Sequence, residues 1–415
     1  MATALVSIIP LLLSVVLLEA CSGLQGVLVP IRAQLEGFQN LTIGLFGSAY
    51  YFGFISGCLL VPGIIRRIGH IRAFSGFTSV ITIALLWLPL MVEPLSWTLM
   101  RVLVGFGFVA LYIIVESWLN SQVTNLTRGR IFGTYMVVTW LALVAGKLMF
   151  GLWDSSSNVP FIVAAILASL AIAPVVFTTM DEPERVPRTS VAFRQVVRNC
   201  PIGAFGCLCI GIANGAFWTL GPLYPRAFDL STAEIGVFMA VVIIGGSLTQ
   251  WPLGMLSDHM DRRRVIAVTC LAAALTGLFM TTNLATGSDA KLLVAAFLFG
   301  SSALPLYGLL IAHANDSTPA DSFVEVSSTL LLIFGIGAVA GPPAIAVVID
   351  EFGISTLFIA TGSIHLLLGL YTLISIRFQS LPPEQDAHFV AVQKTTPAAA
   401  ALDPRADHES TDEAG

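Results

Sequence analysis

Apolar stretches of about 20 residues recur along this chain, each long enough, at 1.5 Å per residue, to cross a hydrocarbon layer of roughly 30 Å as a helix. Twelve are expected, near residues 4–28, 41–65, 73–92, 96–119, 131–153, 158–179, 201–224, 232–256, 265–285, 291–312, 323–349 and 353–376. Only short polar breaks separate them, and nothing else in the chain is long enough to fold as a soluble domain. Charged residues make up 11% of the 415, against roughly 25% in an ordinary soluble domain. The expected class is an all-α membrane protein of twelve transmembrane helices, with the lipid bilayer as its surroundings and no nucleic-acid partner.

The first stretch contains "VVLLEACSGLQG", residues 15–26, in which Glu19 interrupts an apolar run and Cys21 follows it. A cleaved export signal begins with basic residues and ends its apolar core after about 7 to 15 residues. Here the first basic residue is Arg32, and apolar sequence continues through Val27, Leu28 and Val29. The stretch is therefore read as a retained first helix carrying a buried acid. Orientation follows from where Lys and Arg fall. With the N-terminus inside, the inner loops hold twelve arginines, in 66–72, 128–130, 185–198 and 262–264, against Arg32, Arg226 and Lys291 outside. Both termini are expected in the cytoplasm, and the membrane is expected to be the bacterial inner one. The six cysteines fall within or beside predicted helices, so no disulfide and no metal site are expected.

The two halves of the chain answer each other at an offset of about 195 residues. Glu19 matches Asn214, Pro30 matches Pro225, Leu111-Tyr112 matches Leu306-Tyr307, Asn120 matches Asn315, and Val144-Ala145-Gly146 matches Val339-Ala340-Gly341. This divides the chain into an N-terminal six-helix half (1–179), a charged cytoplasmic linker (180–200), a C-terminal six-helix half (201–378) and a polar tail (379–415) expected to be disordered. Six is even, so the halves are parallel pseudo-repeats, an arrangement associated with secondary transporters.

"GMLSDHMDRRR", Gly254 to Arg264, lies between predicted helices 8 and 9. Gly254 permits close helix approach, and Asp258 is placed to pair with Arg262 or Arg263. The segment resembles the loop signature of the major facilitator superfamily, Gly-x-x-x-Asp followed by basic residues. Its first-half counterpart, "PGIIRRIGHIR" (62–72), keeps Arg67, Gly69 and Arg72 but has Arg66 where that signature carries the acid. "RVLVGFG" (101–107) resembles the superfamily's fourth-helix element. In "VAGK" (144–147), Lys147 stands where proton-antiporting drug exporters of that superfamily carry proline, which the second half retains at Pro342. "YIIVESWLN" (112–120) is similar to a poorly characterised bacterial branch. The resemblance implies a twelve-helix transporter fold whose helices 1, 4 and 5 line a central cavity.

An ionisable group inside a membrane helix costs roughly 2.5 to 3.5 kcal/mol on insertion scales, so it tends to be paired or to face water. Glu19, Arg101 and Lys147 fall at similar depths in helices 1, 4 and 5 and are expected to meet. Arg101, Gly105, Phe108, Tyr112 and Glu116 share one face of helix 4. Glu116 sits near its cytoplasmic end, within expected reach of Arg128 or Arg130. Arg101 and Lys147 are candidate contacts for an anionic or polar solute, with Glu19 as counter-ion and proton carrier, and Tyr112 is a further candidate. Asn214 and Trp218 on helix 7, with Gln250 and Trp251 on helix 8, offer hydrogen bonds and stacking, or serve as glue between helices. Glu116, Gly254, Asp258, Arg262, Arg263, Asn315 and Asp316 are candidate gating residues.

These features lead to a secondary transporter that moves a small organic solute by alternating access, coupled to protons and exporting its cargo. It is expected to work as a monomer without a cofactor. No nucleotide-binding Gly-Lys-Ser/Thr loop occurs and no nucleophile–base or metal-ligand cluster points to an enzyme. The alternative is a transporter-like membrane sensor that binds a solute without moving it.

Overall fold

The computed structural model of the protein describes residues 8–122, 127–177, 191–282, 289–316 and 322–378, with 183 and 318. The tail 379–415, most of the linker and the side chain of Arg128 lie outside the described residues. Among the described residues twelve helices are long and apolar enough to cross a membrane: α1 (Ile9–Leu35), α2 (Asn40–Ile68), α3 (His70–Trp87), α4 (Pro94–Ser121), α5 (Gly129–Leu152), α6 (Val159–Val176), α7 (Pro201–Leu220), α8 (Thr232–His259), α9 (Arg262–Met280), α10 (Ala290–Asp316), α11 (Phe323–Phe352) and α12 (Thr356–Phe378). Among the described residues there is no strand. Leu60, Ile83, Leu103, Leu141, Leu248, Leu275 and Leu367 are exposed on the outside of the bundle, where acyl chains rather than water would meet them.

The ends of the helices depart from expectation where polar groups find partners. α1 continues past Pro30 to Leu35, taking Arg32 into its last turn. The Arg32 guanidinium donates to the Ser156 carbonyl (2.6 Å), the Ser157 carbonyl (3.2 Å) and Asn158 Oδ1 (3.3 Å), and it pairs with Glu36 one turn on. Those bonds fasten the end of α1 to the α5–α6 connection and satisfy carbonyls that no helix uses. Arg32→Met, which keeps most of the packing volume, is expected to cost about 1–3 kcal/mol by leaving these groups unmet. A thermal melt of the detergent-purified protein should show the loss as a lower midpoint. α10 is interrupted at Leu304 and Pro305, because a proline cannot donate to the preceding turn. At the start of α8, Ser231 and Glu234 form a reciprocal capping box.

Packing follows a pattern that repeats six helices later. In the first six helices α1 packs on α5 and α6, α2 on α4, and α3 on α4 and α6. In the second six, α7 packs on α11 and α12, α8 on α10, and α9 on α10 and α12. The seams between the two sets, α2 with α11 and α5 with α8, exchange under the same operation. This is the two-fold arrangement of parallel six-helix pseudo-repeats.

Close crossings depend on missing side chains. A Cβ added to Gly146 would fall within 3.0 Å of the Ala20 carbonyl oxygen, and one on Gly23 would meet the Leu143 carbonyl equally closely, so α1 and α5 touch backbone to backbone. Gly105 plays the same part between α4 and the Tyr50 carbonyl of α2. The first crossing holds the charge-bearing helices α1 and α5 together, and the second sets Arg101-bearing α4 against α2.

Candidate functional site

A cavity of about 220 Å³ lies at the centre of the bundle, lined from both six-helix sets: by α1, α2, α4 and α5 on one side and α7, α8, α10 and α11 on the other. From α1 it receives Glu19, Ser22, Gln25, Gly26, Val29 and Pro30, spaced by threes and ones along a single stripe. Arg101 and Tyr112 come from α4, Lys147 and Trp140 from α5, Tyr50, Tyr51 and Phe54 from α2, Trp218 and Thr219 from α7, Gln250 from α8, and Tyr307 from α10. Glu19, Arg101 and Lys147 thus do meet around one space, and each is buried.

Their contacts differ. The Tyr112 hydroxyl lies in hydrogen-bond reach of the Glu19 carboxylate and of Ser22. Arg101 Nη1 donates to Gln25 Oε1, its Nε lies 3.5 Å from the Phe46 carbonyl oxygen, and its guanidinium carbon sits 4.6 Å from the centre of the Tyr50 ring. Lys147 Nζ is 5.4 Å from the centre of the Trp218 ring. Glu19 and Lys147 interact electrostatically across the cavity. Neither cation, however, forms an ion pair with Glu19 or any other described carboxylate.

Tyr112, Trp218 and Gln250 stand in the cavity wall as the sequence suggests. Asn214 does not: it is 2% exposed, packed between helices, and its Nδ2 has no hydrogen-bond partner. Trp251, one residue and so about 100° around the helix from Gln250, points outward and is 67% exposed. Sequence reasoning passed over Ser22, Gln25, Tyr50 and Tyr51. The α1 pair was discoverable, since Ser22 and Gln25 are the next polar positions at helical spacing from Glu19. Nothing local distinguishes Tyr50 and Tyr51 from packing aromatics, because their role comes from α4 crossing α2.

All the gating candidates except Glu116 collect at the α8–α9 corner. The connection there is shorter than a loop, only Met260 and Asp261, so Asp258 lies in the last turn of α8 and Arg262 opens α9. Arg262 donates to Asp258 (3.0 Å), to Asp316 at the end of α10 (2.8 Å) and to Ser257 (2.9 Å). Arg263 instead pairs with Asp261, at 3.0 Å. Partial burial works against the charge on Asp261, but hydrogen bonds from the Arg263 side chain and backbone prevail and hold its carboxyl below the usual range. Gly254 is buried and its carbonyl accepts from Ser257, while Asn315 is buried behind the cluster. In the first half Arg66 and Arg67 are exposed. Glu116 is completely buried and accepts from the Tyr135 hydroxyl at 3.0 Å. It does not line the cavity, and Arg130, one of its expected neutralising partners, is exposed.

At the opposite end of the bundle the two sets are sealed together. Asn40 Nδ2 donates to Asp350 (2.7 Å) and Ser48 to the Val339 carbonyl (2.6 Å), both joining α2 to α11. A Cβ on Gly236 of α8 would fall within 3.0 Å of the Lys147 carbonyl oxygen, so α5 and α8 are equally close.

The model of the family described as Major Facilitator Superfamily matches residues 11–328 and 203–403. The chain is 29% identical over 376 residues to the "Uncharacterized MFS-type transporter YcaD" of Escherichia fergusonii, covering 90% of this chain and 96% of that protein. The protein of the same name in Escherichia coli (strain K12 / DH10B) is 29% identical over 382 residues, 91% of this chain and 97% of its own length. In architecture the chain is similar to the nucleoside transporter NupG, with a TM-score of 0.77 at 12% identity over 89% of this chain and 99% of that one. It is also similar to the D-xylose-proton symporter, with a TM-score of 0.71 at 11% identity over 88% and 96% of the two chains.

Proposed function

Because the chain belongs to the major facilitator superfamily, we propose that it is a proton-coupled secondary transporter that carries a small organic solute through the central cavity by alternating access. The observation that carries this reading is the meeting of Glu19, Arg101 and Lys147 in a cavity walled by both six-helix sets. A site at that seam is exposed first to one side and then to the other when the sets rock. Ionised groups that are costly in lipid have a use there and little purely structural reason to be left without ion pairs.

The twelve-to-three placement of inner and outer basic residues supports cytoplasmic termini and, with the bacterial relatives, the inner membrane. On that orientation the seam sealed by Asn40–Asp350 and Ser48–Val339 is the periplasmic one. The Asp258–Arg262–Asp316 cluster lies at the cytoplasmic end, where it would make and break as the second set tilts. We take the single chain as the working unit, divided as 1–179, 180–200, 201–378 and 379–415. Glu19 is the proposed proton carrier. The direction depends on the charge of the cargo: a solute exchanged for a proton is exported, as the sequence leads one to expect, whereas a solute bound together with a proton is taken up.

Counterflow in proteoliposomes tests the reading. Vesicles preloaded with unlabelled solute should take up labelled solute far above the level of empty vesicles, and an imposed pH gradient should drive net movement. Solute binding to the purified protein with no counterflow at all would make it a sensor and end the transport proposal.

A further inference from the structure

Two cations and one carboxylate face the cavity, and the cations are not joined to the carboxylate. Each is instead laid against an aromatic ring, Arg101 on Tyr50 and Lys147 on Trp218. A cation–π contact is worth about 0.5–2 kcal/mol, less than the roughly 2.5–3.5 kcal/mol that an intramembrane cation costs on insertion scales. Arg101 makes up part of the difference through Gln25, a charge-assisted hydrogen bond. Lys147, buried to 3% exposure, has the Trp218 ring and an electrostatic interaction with Glu19, with no hydrogen bond or ion pair. Both head groups border the same space, so a ligand entering it meets two incompletely compensated positive charges. The walls it meets beside them are aromatic: Tyr50, Tyr51, Phe54, Trp140, Trp218 and Phe334.

We propose that the cargo is an organic anion with a flat apolar or aromatic body, its acidic group held between Arg101 and Lys147 and its body stacked among those rings. This rests on the transport reading above and names its substrate class. A cationic amphiphile would face two like charges, and a neutral sugar would leave both cations uncompensated while covering aromatic surface with hydroxyls.

The same geometry sets the sign of coupling. The charged and titratable groups around Glu19 are Lys147 and Tyr135 from α5, Tyr112 and Glu116 from α4, Tyr50 from α2, and Cys21 on its own helix. An ionised Glu19 attracts Lys147 and repels an incoming anion, whereas a protonated Glu19 does neither. Anion and proton therefore favour each other's binding and travel in the same direction.

The test is binding to the purified full-length protein by isothermal titration, with indole-3-acetate and 3-phenylpropionate compared with their amides, with phenethylamine, and with hexanoate. The acids are expected to bind at least tenfold tighter than the amides, hexanoate more weakly than either aromatic acid, and phenethylamine not at all. Lys147→Gln should remove most of the preference for acid over amide, and Lys147→Arg should restore it, which separates charge from folding. Acid affinity should rise as pH falls, and this dependence should flatten in Glu19→Gln. Equal affinity for acids and amides, tighter binding of the amine, no binding by any aromatic acid at millimolar concentration, or affinity rising with pH would each overturn the proposal. Acids that bind but show no counterflow would sink transport and leave the substrate class standing. Counterflow of a neutral or cationic solute alone would do the reverse.

Discussion

Glu19→Gln is expected to cut movement driven by a pH gradient by more than tenfold, with a far smaller effect on solute exchange across the same membranes. Gradient-driven flux requires a group that takes a proton on one side and releases it on the other. Exchange requires only that the loaded protein reorient. Glutamine keeps the shape of Glu19 and an oxygen to accept from Tyr112, so the local packing survives while the exchangeable proton is lost. The assay is paired: labelled solute is followed in proteoliposomes with a pH jump, and in equal-pH vesicles preloaded with unlabelled solute. Strict response to the gradient in the Glu19→Gln protein would remove Glu19 as carrier. Equal collapse of both activities would instead make Glu19 a structural member of the α1–α4 contact.

The second large effect is expected at the α1–α5 crossing. Gly146→Val would place carbon within 3.0 Å of the Ala20 backbone, which has no side-chain freedom with which to give way. The helices must then part by about 1 Å or more, and overpacking of this kind costs on the order of 1–3 kcal/mol even where neighbours can adjust. Separation at Gly146 also moves Lys147, the next residue, away from Trp218 and the cavity. The variant should show a clearly lowered melting midpoint together with loss of solute binding. Gly133→Ala on the same helix is the control. No atom lies within 4 Å of the position its Cβ would take, and alanine favours helix over glycine by up to about 1 kcal/mol. Its stability and binding should be unchanged or slightly improved. If Gly146→Val behaves like Gly133→Ala, the close crossing is not what positions the site.

The membrane class, the twelve spans and the two-fold repeat were legible in the chain because they depend on runs and offsets, which are properties of linear order. A stretch of 20 apolar residues has few alternatives in lipid, where every backbone group must be bonded within its own helix. The candidate charges were legible for a related reason: Glu19, Arg101 and Lys147 stand out against an apolar background, and their depth can be counted at 1.5 Å per residue. Rotation and partnership were not. Gln250 and Trp251 are adjacent in sequence, yet one faces the cavity and the other faces outward, a difference decided by which side of α8 packs on α5 and α10. Arg32 belongs to α1 rather than to a loop because carbonyls of the α5–α6 connection, more than 120 residues on, receive its hydrogen bonds. The absence of an ion pair between Glu19 and the two cations, from which the anion-binding proposal starts, likewise arises only when three helices settle at particular distances. Composition and periodicity act along the chain and specify what must be buried in lipid. Which buried groups touch is decided by contacts between residues far apart in sequence, and therefore by the packed bundle alone.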